Sequence, residues 1–102
     1  MITWVVHYTI DPGELAAFER FAQRWMELVN QHGGIHHGYF LPAEGASDAA
    51  LALFSFPSLA DYEQYRARFC HDPDFIEADR VRDESGCVLR YDRTFMRPLL
   101  PA

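Results

Sequence analysis

The sequence predicts an α+β domain of βαββαβ order: four antiparallel strands in one sheet, with two helices on one of its faces. Three observations carry this. The chain has 102 residues, 49% of them hydrophobic, which is room and material for one domain with one core. Four β-branched or aromatic runs bracket two stretches of helical period. Those stretches divide the chain into two similar halves, each a strand, a helix and a strand.

Residues Ile2 to Ile10 (ITWVVHYTI) are β-branched and aromatic throughout and read as the first strand. Asp11-Pro12-Gly13-Glu14 then places Asp at a helix N-cap, Pro at N1 and Glu at N3, a reciprocal capping arrangement. Leu15, Phe18, Ala22, Trp25, Val29 and His32 recur at spacings of three and four, with Phe21 and Leu28 widening the stripe. Gly33-Gly34 ends that helix. Ile35 to Leu41 is the second strand, Pro42 to Asp48 a turn region, and Ala49 to Phe56 the third strand, paired to the second as a hairpin. Ser58, with Asp61 three residues on, opens the second helix, whose stripe is Leu59, Tyr62, Tyr65/Arg66 and Phe69. Asp72-Pro73 restarts a short helix carrying Phe75, Ile76 and Ala78 toward Glu84. Gly86 turns the chain into a last strand, Cys87 to Met96. This order is the ferredoxin-like split βαβ, and right-handed crossovers put both helices on one sheet face.

With one face covered, the other should read polar at every second position. It does not. In the first strand Ile2, Trp4, Val6, Tyr8 and Ile10 oppose Thr3, Val5, His7 and Thr9. In the second, Ile35, His37, Tyr39 and Leu41 oppose His36, Gly38 and Phe40; in the third, Leu51 and Leu53 oppose Ala52, Phe54 and Phe56. An apolar open face exceeds what a monomer tolerates, so a homodimer through that face is expected.

Composition narrows the function classes. Nine basic residues, all Arg, stand against fifteen acidic ones, a net charge of −6 that attracts neither nucleic acid nor anionic lipid. Five arginines crowd Arg80 to Arg97, but they alternate with Asp79, Asp83, Glu84 and Asp92 and read as a solvated mixed surface. The longest apolar run, Ala49 to Phe54, is far short of the ~20 residues of a membrane span. The N-terminus has no signal-peptide pattern, so a cytoplasmic location and reduced Cys70 and Cys87 are expected, with a Cys70–Cys87 bridge the less favoured alternative.

Tyr8-Thr9-Ile10-Asp11-Pro12-Gly13, His32-Gly33-Gly34 leading through Gly38-Tyr39-Phe40 to Glu44-Gly45, Leu53 to Asp61, Asp72-Pro73-Asp74-Phe75 and Met96-Arg97-Pro98-Leu99 occur in the order of a NIPSNAP domain. The chain resembles that family, within the dimeric α/β-barrel superfamily, over nearly its whole length. The resemblance implies a dimeric barrel whose interior lies between two sheets, and no dedicated metal or flavin site. It also implies relatives of diverse roles: heme-degrading and antibiotic-biosynthesis monooxygenases, small isomerases and NIPSNAP proteins of poorly defined activity. Such relatives often carry charged residues on the cavity side of the first strand, where this chain has Trp4 and Val6, with Tyr8 following. That register puts Trp4, Val6 and Tyr8 in the inter-sheet cavity and favours a hydrophobic ligand. Periodicity alone would put them in the helix-packed core. Asp79 stands where heme-degrading relatives carry a ligand histidine, which argues against heme.

The candidate acid–base groups are His7, Tyr8, His36 and His37. His36 and His37 are adjacent on a strand, so they leave on opposite faces and cannot chelate one metal together; one of them should enter the inter-sheet cavity. For a lone histidine, a hydrogen-bonded structural role is the commoner outcome. No H-x-H or H-E-x-x-H spacing marks a metal centre, and none is expected. Trp4, Val6, Tyr39, Phe54 and Phe56 are the candidate ligand-binding residues, with dimer-core packing the competing reading. Two function classes stay open. One is a non-catalytic dimer binding a small hydrophobic molecule. The other is a cofactor-independent monooxygenase or isomerase of the antibiotic-biosynthesis type, acting on an aromatic substrate.

Overall fold

In the computed structural model, which describes residues 1–101, the chain runs β1 (Ile2–Ile10), α1 (Leu15–Gln31), β2 (Ile35–Phe40), β3 (Ala49–Phe56), α2 (Leu59–Arg66), α3 (Pro73–Ser85) and β4 (Val88–Met96). The four strands form one antiparallel sheet in the order β2-β3-β1-β4. This is the ferredoxin-like α+β arrangement the periodicity predicts. The second crossover is split into two helices because Asp72-Pro73 interrupts it: Asp72 caps α3 by accepting the Asp74 N–H, and Pro73 occupies its first turn.

The N-terminal cap of α1 differs from expectation. Asp11 accepts the Gly13 N–H at 2.9 Å, as an N-cap should, but over a 3-10 turn at Pro12–Glu14 that precedes α1. The reciprocal bond from Glu14 does not form, because the Asp11 N–H already donates to the Cys87 carbonyl at 2.9 Å. That bond ties the end of β1 to the start of β4. At the other end of α1, Gly34 is fixed by crowding. A Cβ there would stand 2.7 Å from Val29 Cγ1 and 2.8 Å from Phe56 Cζ. The second cap matches the sequence reading: Ser58 Oγ accepts the Asp61 N–H at 3.1 Å and donates to its carboxylate at 2.7 Å.

The core lies between the sheet and the helices. Phe18, Leu28 and Val29 of α1 meet Val6 and Ile10 of β1, Phe56 of β3 and Phe75 of α3, all buried. Phe75 sits at the helix junction, 5.5 Å from the rings of both Trp25 and Tyr65 and 5.3 Å from Phe69. Burying such a side chain contributes roughly 1.5–3 kcal/mol. On the surface, Arg24 bridges Asp74 at 3.2 Å and links α1 to α3.

Two sequence expectations are corrected by this packing. Trp4, Val6 and Tyr8 face the helices, with Ile2 and Ile10, so the family-based placement in an inter-sheet cavity gives way to plain alternation. Phe54 and Phe56 follow them to the same side, as their pairing with Trp4 and Ile2 requires. The second correction concerns β2. Its pairing with β3 shifts between His36 and Gly38, a β-bulge at which Gly38 takes a φ of 112°. The bulge breaks the alternation, so His36 and Tyr39, which strict parity places on opposite faces, share the helix side. Their rings stack 5.0 Å apart and 9° from parallel.

The open face presents Val5, His7, Leu51 and Leu53, flanked by Ile35 and Phe40 on β2 and by Asp92, Thr94 and Met96 on β4. Ile35, Phe40 and Met96 are 55%, 57% and 53% exposed, so large apolar groups do stand in solvent on a single chain. Across this face runs a short polar chain: Ser55 Oγ lies 2.7 Å from Thr3 Oγ1 and 2.7 Å from His37 Nε2. Cys70 is exposed, Cys87 is buried, and both are free thiols.

Candidate functional site

Where α1, α2 and α3 fail to close completely on the sheet, a cavity of about 180 Å3 remains. Its floor is the sheet: Val6 and Tyr8 of β1, Phe54 of β3, and His36 and Tyr39, brought together by the bulge in β2. Phe21, Trp25 and Val29, successive turns of the α1 stripe, form one wall. Tyr62, Tyr65, Arg66 and Phe69 come from α2 and the turn after it, at the spacing of one helix face. The remaining lining is polar: Asp79 and Arg82 of α3, and Tyr91 and Arg93 on alternate positions of β4.

Of the sequence candidates, Val6, Tyr8, His36, Tyr39 and Phe54 thus converge on one cavity. Trp4 lies beside it in the core, its ring 4.6 Å from Tyr62 and beneath the Arg93 guanidinium at 5.3 Å. Phe56 is buried deeper, against Tyr65. His7 and His37 are on the open face, away from the cavity: His7 pairs with Leu51 and Asp92, and His37 binds Ser55. Sequence reasoning named Asp79 but placed none of Arg66, Arg82 and Arg93 at a cavity. For Arg93 the signal was parity on β4, where Tyr91 and Arg93 share a face with Tyr8 and Val6 through direct pairing.

Burial and neighbours set the protonation states. Burial pushes the Tyr8 phenol up to about 12, against the smaller opposing influences of the Tyr39 hydroxyl, Arg82 and Arg93. Tyr39 and Tyr65 are raised well above the usual range, again chiefly by burial. All three remain protonated donors at neutral pH. His36 is lowered to about 4, by burial first and by the proximity of His37 second. Its Nδ1 accepts the Gly38 N–H at 2.9 Å, so the neutral ring carries its proton on Nε2. The Trp25 indole N–H is buried with no partner among the described residues. Burial also raises the Asp79 carboxyl, with Asp83 adding to the shift and Arg82 opposing it. Burial would weaken the charge on Arg82, but Asp79 at 3.6 Å and Asp83 at 3.1 Å outweigh it.

Chemically, the result is an aromatic cavity edged by three arginines, one carboxylate, one histidine and phenols that both donate and accept. No group of three or more His, Cys, Asp or Glu side chains is placed to hold a metal ion among the described residues. No described helix is long and apolar enough to cross a membrane.

Fold and cavity together define a ferredoxin-like domain with a small, partly open cavity between its sheet and its helices. The NIPSNAP family model matches residues 5–100, and the chain belongs to that family. No match is found among curated proteins. Solved structures share the fold. A NIPSNAP family protein of unknown function from Agrobacterium tumefaciens is 22% identical, over 96% of this chain and 87% of that one, with a TM-score of 0.79. An uncharacterized NIPSNAP domain protein from Burkholderia xenovorans is 16% identical over the whole of both chains, with a TM-score of 0.78. A putative antibiotic biosynthesis monooxygenase from Nitrosomonas europaea is 8% identical over 98% of this chain and all of that one, at a TM-score of 0.74. At these identities the likeness extends to the fold alone.

Proposed function

We propose that this NIPSNAP domain binds a small, largely aromatic or apolar molecule in the cavity between its sheet and helices, and does so as a cytoplasmic homodimer joined through the open sheet face. The observation that carries the reading is the cavity itself: about 180 Å3, walled by aromatic side chains from every layer of the fold. An apolar cavity of roughly 150 Å3 takes up benzene, so one ring with a short substituent is the right scale. Isothermal titration of the purified protein with indole tests it. Binding to the wild type and its loss in Val6→Phe, which fills the floor, support the reading; no binding to the wild type overturns it.

The dimer rests on Ile35, Phe40 and Met96, large exposed apolar groups on one face. Sedimentation equilibrium at micromolar concentration should give twice the 11.8 kDa chain mass, and Phe40→Glu should give the single mass. A wild-type monomer would remove this part. The free thiols of Cys70 and Cys87 suit a reducing compartment.

A further inference from the structure

Three of the nine arginines in this acidic chain stand at a single cavity, one contributed by each of α2, α3 and β4. The Arg93 guanidinium lies 5.5 Å above Tyr91, while Arg66 and Arg82 both feel the Tyr91 phenol electrostatically. Arg82 and Arg93 also both act on Tyr8, deeper in the cavity. Arg82 is balanced by Asp79 and Asp83, but Arg66 and Arg93 form no salt bridge among the described residues. Arg66 only donates to the Tyr62 hydroxyl, at a long 3.5 Å. Arg93 is held over Trp4 and Tyr91 by their ring faces, which fix its position without neutralising its charge.

Apart from Asp79, the other polar groups of the lining carry no negative charge. Tyr8, Tyr39 and Tyr65 keep their protons, and His36 has its acceptor nitrogen occupied by Gly38 and its Nε2–H left to donate. Against these donors the lining offers one carboxylate, Asp79, already facing Arg82.

From this geometry we infer that the cavity's ligand is an organic acid, its apolar or single-ring body among Val6, Phe21, Trp25 and Phe54 and its carboxylate at the mouth beside Arg93 and Arg66. The inference rests on the cavity reading above and adds the charge of the ligand. A carboxylate supplies a negative charge and paired acceptor oxygens beside the two guanidiniums that have no salt bridge among the described residues.

The test is a matched pair of probes of similar size, benzoate and benzyl alcohol, titrated calorimetrically at pH 7 in low salt. The expected result is a preference for benzoate of about tenfold or more, the scale of one charge-assisted contact. Arg93→Gln should reduce that preference to within about threefold, with the loss falling on benzoate far more than on benzyl alcohol. Arg20→Gln, on the outer side of α1, should keep the full preference, and unchanged thermal melts establish that both variants fold. Equal binding of the two probes to the wild type, or an undiminished preference in Arg93→Gln, overturns the inference while the cavity reading stands. Failure of benzyl alcohol and benzoate alike removes the cavity reading itself.

Discussion

His36 makes the pH dependence of stability a quantitative check on the site. Its ring is neutral in the folded protein, with a pKa lowered from the usual 6.5 to about 4 by burial and by His37. The unfolded chain takes up the proton below about 6.5 and the folded chain only below about 4, so between those values protons favour unfolding. Stability from this group is therefore complete above pH 6.5 and is lost as pH falls toward 4. From pH 7 to pH 5 the unscreened loss is about 2 kcal/mol, at ~1.36 kcal/mol per pKa unit. Because the ring is only partly buried, solvent screening reduces this to roughly 1 kcal/mol. Urea unfolding of wild type and His36→Asn at pH 7 and pH 5 isolates the effect. Asparagine offers an oxygen to the same Gly38 N–H but does not titrate. Wild type should lose about 1 kcal/mol more than the variant across that interval. Parallel losses in the two proteins, or a His36 titration near 6.5 by NMR, would refute the placement of this ring.

Two further substitutions probe the packing. Gly34→Ala forces a Cβ to within 2.7 Å of Val29 and 2.8 Å of Phe56. It should cost about 1–3 kcal/mol in chemical denaturation; a neutral result would mean that α1 and β3 are farther apart there. Ser55→Ala removes the shared partner of Thr3 and His37. A loss of about 1–3 kcal/mol is expected, and a change within experimental error would show that the polar chain on the open face contributes nothing to stability.

How much of this was legible in the sequence depended on which signal each residue obeyed. Strands, helices and their order followed from periodicity and capping, because Ser58, Asp72 and Gly86 make local bonds or turns that do not depend on the rest of the fold. The cavity was only half legible. Tyr8 and Val6 obeyed strict alternation, which the family-based register overrode. His36 and Tyr39 came together through a bulge at Gly38, and a single inserted residue leaves only a glycine as its trace. The arginines were hardest to see. In sequence, Arg82 and Arg93 sit among carboxylates and look solvated; the cavity appears only when β4 pairs Arg93 with Val6 and Tyr91 with Tyr8. That pairing joins residues far apart in the chain, and no local pattern encodes it.

The central claim is that ligands enter the space between sheet and helices and not the open face. Amide and aromatic chemical shifts of labelled protein, followed during titration with indole, test it most directly. Shifts concentrated at Val6, Trp25, Tyr39 and Tyr65, with Val5, His7 and Leu53 unmoved, are what the account predicts. Shifts centred on Val5, His7 and Leu53 would contradict it.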